Sequence, residues 1–202
     1  MRHRSTIIIG GGVAGASLSR VLAQRGVAVT LLEKAGQLCS GATWHAAGLV
    51  TRFGGSSKVK KMHVRALELM TALHAEHDVG LHLTGSIRLV NKGDESRLRE
   101  AKQHCELAAL YDTPEYRTEL LPADEVAARH PLLDASVIEC GLWTPHDGDV
   151  DPTSLTNVIA KQARAAGAKY IFDTEVESVT PRADGTFVVG VAGGGEYTAD
   201  SV

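Results

Sequence analysis

Hydrophobic positions change period several times along the chain, and each change marks an element. Ser5–Gly10 (STIIIG) is a short β-branched run that reads as a buried strand. Apolar positions then widen to helical spacing at Ala16, Leu18, Val21 and Leu22, and Gly26 supplies a C-terminal stop. Residues 27–32 (VAVTLL) return to a continuous apolar run, a second strand that ends at Glu33. The next eighteen residues, EKAGQLCSGATWHAAGLV, follow neither period and are rich in small side chains, which predicts irregular structure. Lys58–Gly80 reads as an amphipathic helix with Val59, Met62, Ala66, Met70 and Leu73 on one face. Gly85–Val90 is a strand, and residues 94–112 a helix with Leu98, Ala101, Cys105 and Ala108 inward. Pro122 and Pro131 bracket a short third helix, followed by a strand over Val137–Thr144. Asp151 is placed to cap a helix with Pro152 at its first position. Its inward face is Leu155, Val158, Ile159 and Ala163, and Gly167 stops it. Residues 169–180 read as one strand, and residues 185–191 and 193–202 as a hairpin pair.

Composition narrows the class. The chain has 202 residues, a net charge of −3 and 44% hydrophobic residues, enough for one large or two small globular domains. No basic excess points to nucleic acid or to an anionic membrane surface. The opening MRHRSTIIIG is too short in its polar part and too quickly broken by glycine for a signal or transit peptide, and no window is apolar enough to span a bilayer. Cys39, Cys105 and Cys140 lie far apart and are odd in number, which points to a reducing, cytoplasmic compartment rather than a disulfide framework.

The first turn carries the clearest chemistry. GGGVAG fits G-x-G-x-x-G with Gly10, Gly12 and Gly15, between a strand and a helix. Gly10 allows the tight turn, Gly12 lets a pyrophosphate approach, and Gly15 lets the helix pack against the strand. The helix N-terminus then offers amides to the phosphates. Glu33, eighteen positions after Gly15, is placed to accept from ribose hydroxyls, and an acid there disfavours a 2′-phosphate, so the pattern points away from NADP. A nicotinamide unit would continue into another regular helix and strand. The irregular small-residue segment instead favours FAD, whose flavin end reaches beyond the first βαβ unit. Other constellations carry less. His74 and His77 are three apart without a third ligand, and a solvated helix end explains them. Asp147, Asp149 and Asp151 alternate as in a calcium loop, but Pro152 and Val158 stand where glycine and glutamate are needed, so no metal site is expected. Arg88 reads as an exposed strand arginine rather than a carboxylate clamp.

Four segments in order, IIIGGGVAGASLSRVLAQRGVAVTLLEK, SGATWHAAGL, GSIRLV and PHDGDVDPTSLT, carry a resemblance that covers essentially the whole chain. The sequence resembles the dimethylglycine and sarcosine dehydrogenases, amine-oxidising flavoproteins of the D-amino-acid-oxidase-like superfamily. The resemblance implies an α/β, Rossmann-like FAD-binding fold with an inserted α+β substrate domain, C-terminally incomplete. Residues 1–80 would be the first part of the FAD-binding domain, 81–140 the beginning of the substrate domain, and 141–202 the second part of the FAD-binding domain. It places FAD against Gly10, Gly12, Val13, Ala14, Gly15, Glu33 and Lys34. The small-residue run adds Gly41, Ala42, Thr43, Trp44, His45, Ala46, Ala47, Gly48 and Leu49, and Val176 lies on the adenine side. His45 would be bonded covalently to the flavin 8α carbon. The implied reaction passes a hydride from an N-methyl carbon to flavin N5, and the iminium hydrolyses to formaldehyde and the demethylated amine. A small N-methylated amino acid is the implied substrate. Electron-transfer flavoprotein and folate are implied partners through a C-terminal region outside this chain, where the catalytic groups also lie, so no catalytic residue is assigned. Two alternatives stay open. One is a non-catalytic regulatory relative, and the other a noncovalent, glycine-oxidase-like amino-acid oxidase, against which His45 argues.

Overall fold

The computed structural model describes residues 4–51, 56–110 and 117–202. In chain order the elements begin β1 (Ser5–Ile9), α1 (Val13–Gln24), β2 (Ala28–Leu32), β3 (Leu49–Val50) and α2 (Ser57–His77). They continue with β4 (Ser86–Asn91), α3 (Glu95–Ala109), β5 (Glu119–Pro122), α4 (Ala123–Arg129), β6 (Ile138–Thr144) and β7 (Gly148–Asp149). The last are α5 (Pro152–Ala165), β8 (Lys169–Ile171), β9 (Val176–Pro181), β10 (Phe187–Val191) and β11 (Gly195–Ala199). They form two compact units, Met1–Ala47 with Asp151–Val202, and Gly48–Val150.

The first unit is built on a parallel sheet of order β1-β2-β8, in register from Ser5↔Ala28 to Ile9↔Leu32. Parallel neighbours need a crossover, and α1 and α5 supply it while packing on each other. Alternate residues explain why β1 and β2 read as continuous apolar runs, because both faces are covered. Ile8, Val29 and Leu31 cluster with Ala23, Ala163 and Ala168 on the helical side. Ile7 and Leu32 cluster with Val189, Val191 and Ala199 of a second, antiparallel sheet of order β11-β10-β9. Each fully buried side chain of this kind contributes roughly 1.5–3 kcal/mol. At the sheet margin Ile7 donates its amide to Ser201 O at 3.0 Å, and the Asp200 carboxylate accepts from Ser5 N at 2.7 Å.

The expected strand over 169–180 is two strands. β8 pairs parallel with β2, whereas β9 pairs antiparallel with β10. The chain changes sheet between them, through Asp173 in the left-handed region (φ 52°). Backbone bonds from Asp173 N to Ala35 O (3.2 Å) and Thr174 N to Glu33 O (2.9 Å) hold this corner. The expected cap of α5 is present. The Asp151 carboxylate accepts from Thr153 N at 2.8 Å and Ser154 N at 3.2 Å, with Pro152 the first helical residue.

The second unit carries an antiparallel sheet of order β4-β6-β5. Val90 and Leu142 pack with Leu98, Ala101 and Cys105 of α3 on one face. Ile87, Leu89 and Trp143 pack with Leu121, Val126 and Leu133 on the other. The inward side of α2 matches the expected one at Leu73 and departs from it at the start of the helix. Val59 and Met62 are exposed, and Lys60, Leu67 and Leu73 are buried. Lys60 turns inward with its Nζ 3.3 Å from His104 Nδ1 of α3, a polar contact that a hydrophobicity pattern does not register. The units divide at 47/48 and 150/151, and β3 pairs with β7 (Leu49↔Asp149) within the second unit. Among the described residues no helix is long and apolar enough to cross a membrane.

Candidate cofactor site

Three glycines after β1 are constrained, Gly10 by its backbone conformation and Gly11 and Gly15 by their neighbours. Gly10 has φ +101°, a left-handed conformation that glycine adopts without strain. A Cβ at Gly15 would fall 2.1 Å from Gly10 O, so only glycine lets α1 start this close to the turn. A Cβ at Gly11 would fall 2.7 Å from the Leu38 side chain and 3.0 Å from Glu33 Oε2. Gly11 occupies an unspecified position of the motif, and the sequence reading passed over it.

The N-terminus of α1 has an unusual cap. Its N-cap is Gly12, which has no side chain to offer. The acceptor comes instead from thirty residues away, where Thr43 Oγ1 takes the Val13 amide at 3.0 Å. The same oxygen lies 2.9 Å from where a Gly12 Cβ would fall. Helix geometry leaves the first-turn amides of Ala14 and Gly15 without an intrahelical acceptor, and the aligned peptide dipoles make this end attractive to an anion.

Glu33 directly follows β2 and is buried. Its Oε2 accepts from Gly11 N at 2.5 Å and its Oε1 from Ala35 N at 2.9 Å. These bonds fix the carboxylate while each oxygen keeps a second lone pair for another donor. The following loop is fastened under the turn where Cys39 N donates to Gly11 O at 3.1 Å. Cys39 is itself left-handed (φ 62°) and buried, and burial pushes its thiol above the usual cysteine range.

These residues enclose one side of an open cavity of about 710 Å³. Of the predicted site residues, Gly10, Gly12, Val13, Ala14, Gly15, Glu33, Lys34, Gly41, Ala42, Thr43 and Val176 line it. Trp44, His45, Ala46 and Ala47 do not. Trp44 is 65% exposed, and the exposed His45 ring has Nδ1 3.0 Å from Gly41 O. Gly48 and Leu49 belong to the second unit, where Gly48 O accepts from Val150 N at 2.9 Å. Ile9, Gly11, Leu32, Ser40, Thr174 and Glu175 also line the cavity. Thr174 and Glu175 form the corner between β8 and β9, which the single-strand reading hid. Among the described residues no group of three or more His, Cys, Asp or Glu is placed to hold a metal ion.

The arrangement fits the adenosine–pyrophosphate half of a dinucleotide. Glycines without a Cβ open the floor, first-turn amides could receive an anion, and the fixed Glu33 carboxylate could accept from a ribose diol.

The chain is similar to several known proteins. Human mitochondrial dimethylglycine dehydrogenase is 39% identical over 187 residues, 91% of this chain and 21% of that protein. Human mitochondrial sarcosine dehydrogenase is 29% identical over 192 residues, 94% of this chain and 20% of that protein. The chain thus spans about a fifth of the length of these dehydrogenases. The crystal structure of glycine oxidase from Geobacillus kaustophilus superposes with a TM-score of 0.81 at 27% identity, over 98% of this chain and 54% of that one. The family model for FAD-dependent oxidoreductases (DAO) matches residues 5–202, so the chain belongs to that family.

Proposed function

We propose that this chain forms the dinucleotide-binding part of an FAD-dependent oxidoreductase that oxidises N-methyl amino acids of the dimethylglycine and sarcosine kind. The observation that carries the reading is the cavity in which the first turn of α1 faces the fixed carboxylate of Glu33. The Ala14 and Gly15 amides would hold the pyrophosphate, Glu33 the ribose, and Lys34 and Val176 the adenine side. Gly41, Ala42 and Thr43 would line the path beyond. FAD, when bound, supplies the acceptor for a hydride from the substrate. Residues 1–47 and 151–202 would serve as FAD-binding domain and residues 48–150 as the start of the substrate domain. The substrate class rests on the dehydrogenases the chain resembles. Electron-transfer flavoprotein and folate as partners rest on the resemblance alone, and a cytoplasmic location on the three separated cysteines.

We assign His45 to a covalent tether at the flavin 8α carbon. Its Nδ1 is engaged by Gly41 O, which favours the tautomer that donates from Nδ1 and leaves the lone pair on Nε2 for bonding. A second reading, a noncovalent glycine-oxidase-like enzyme, is favoured by one observation, that His45 does not line the cavity.

Three measurements test these readings. The chain titrated with FAD should quench flavin fluorescence to a stoichiometric end point, and failure to bind would overturn the dinucleotide reading. The flavin-loaded enzyme containing these residues should keep its flavin through acid precipitation and washing. Free release would remove the tether and favour the noncovalent enzyme. Dimethylglycine and sarcosine should bleach the bound flavin and yield formaldehyde, and bleaching by glycine alone would overturn the substrate class.

A further inference from the structure

We propose that the second unit carries a binding site for a small apolar carboxylate, on the face of its sheet opposite α3. A cavity of about 500 Å³ opens there, within the range of roughly 300–1,000 Å³ usual for small-molecule pockets. Its floor is Ile87 and Leu89 of β4, and its walls are Trp143 of β6 and Leu133 from the segment after α4. Arg129, the last residue of α4, stands at its rim. Among the described residues no acidic side chain lines it.

Two features show a shaped wall rather than a chance dent. Gly85 has φ +82°, and a Cβ there would fall 2.1 Å from the Trp143 ring. The indole therefore lies directly on the backbone at that point, in a place only glycine leaves open. The Arg129 guanidinium stands over the other part of the wall, with its central carbon 5.6 Å from the centroid of Trp143. Stacking of this kind holds the guanidinium plane in place.

The ligand chemistry follows from charge. Arg129 Nη1 is 3.4 Å from Glu125 Oε2 and 3.3 Å from Glu125 O, long contacts in an exposed i,i+4 pair. Such pairs are weak. They engage one nitrogen of a group that carries five donors in a planar fork. A carboxylate is the partner that accepts from such a fork along two parallel N–H directions. Besides Thr84, Gly85 and His130, the rest of the lining is Ile87, Leu89, Leu133 and Trp143, which calls for one negative charge on a mainly apolar body, planar where it meets the indole.

The chain's two tryptophans make the test direct. In ¹⁵N-labelled protein the two indole N–H resonances are assigned with Trp44→Phe, and the wild-type chain is titrated with phenylacetate and with its neutral amide, phenylacetamide. Phenylacetate should shift the Trp143 resonance saturably and leave that of Trp44 in place. The amide should bind about tenfold to a hundredfold more weakly, the range for a charge-assisted hydrogen bond. Arg129→Met, which keeps the aliphatic stem, should erase this preference, and Arg129→Lys should retain part of it. Absence of a saturable shift, equal binding of acid and amide, or an undiminished preference in Arg129→Met would each overturn the proposal. An equal response to inorganic phosphate would overturn the apolar part of it. The wild-type comparison of acid with amide decides the matter even where Arg129→Met fails to fold.

Discussion

Thr43→Val removes one oxygen from the candidate cofactor site and nearly nothing else. Valine keeps the shape of threonine, so the change isolates the bond from Val13 N to Thr43 Oγ1. Loss of a capping acceptor costs about 1 kcal/mol, within a range of roughly 0.5–2. Val13 is 37% exposed, so water can partly replace the lost acceptor, and the expected cost sits near the middle of that range. With urea slopes of about 1–3 kcal/mol/M, the unfolding midpoint of the first unit should fall by roughly 0.3–1 M. Hydrogen exchange at the Val13 amide should accelerate, which reads the bond itself. Where FAD binding needs the 36–43 loop fastened to α1, affinity should drop about fivefold to tenfold, the equivalent of the same free energy. Thr43→Ser keeps the oxygen and should stay close to wild type in all three measurements. A Thr43→Val chain with an unchanged midpoint and unchanged Val13 exchange would refute the cap. A Thr43→Ser chain as damaged as Thr43→Val would show that the methyl group, and not the hydroxyl, matters.

Two further substitutions probe the frame. The Asp151 carboxyl is held below the ordinary aspartate range, chiefly by hydrogen bonds from the side chain and backbone of Ser154. Because the folded value is the lower one, the cap stabilises fully above the unfolded pKa of about 3.9 and fades as pH falls through the folded value. Asp151→Ala should therefore cost about 0.5–1 kcal/mol at pH 7, and the difference from wild type should close in chemical denaturation below pH 4. Gly85→Ala should destabilise the second unit by at least about 1–2 kcal/mol, from the left-handed backbone alone, with further loss from the clash at Trp143. An unchanged Trp143 environment in that variant, read by fluorescence, would contradict the packing.

The parts of the site that were legible in the sequence are those set by local backbone geometry. Gly10, Gly15 and Glu33 lie within one βαβ unit, and their spacing follows from strand and helix dimensions. Asp151 and Pro152 were legible for the same reason, since a cap and the helix it starts are neighbours in sequence. The cap on α1 was not, because Thr43 reaches it across thirty residues from a segment with no period. Gly11 was missed because its constraint comes from Leu38 and Glu33, not from the motif. The break between β8 and β9 was hidden because an extended chain keeps alternating as it leaves one sheet for another. The inward side of α2 was misread at its start because the buried Lys60 carries the wrong polarity for its place.

One stretch remains unexplained by folding, and that is its importance. Trp44, His45, Ala46 and Ala47 are all exposed, and Trp44 packs too little to be kept for stability. The His45 side chain has its Nδ1 3.0 Å from Gly41 O, an exposed bond of small net value. Exposed positions without caps, clashes or buried partners change stability by less than about 0.5 kcal/mol when substituted. His45→Ala should therefore leave the urea midpoint of the chain unchanged within that margin. It should also leave noncovalent FAD binding measurable, because Gly10–Gly15, Glu33 and Thr43 are untouched. What it should abolish is the flavin retained by the loaded enzyme after acid denaturation. That combination, neutral in folding and decisive in retention, separates a tether from a structural histidine. A marked loss of stability in His45→Ala would assign the ring to the fold, and retention that persists in the variant would place the bond on another residue.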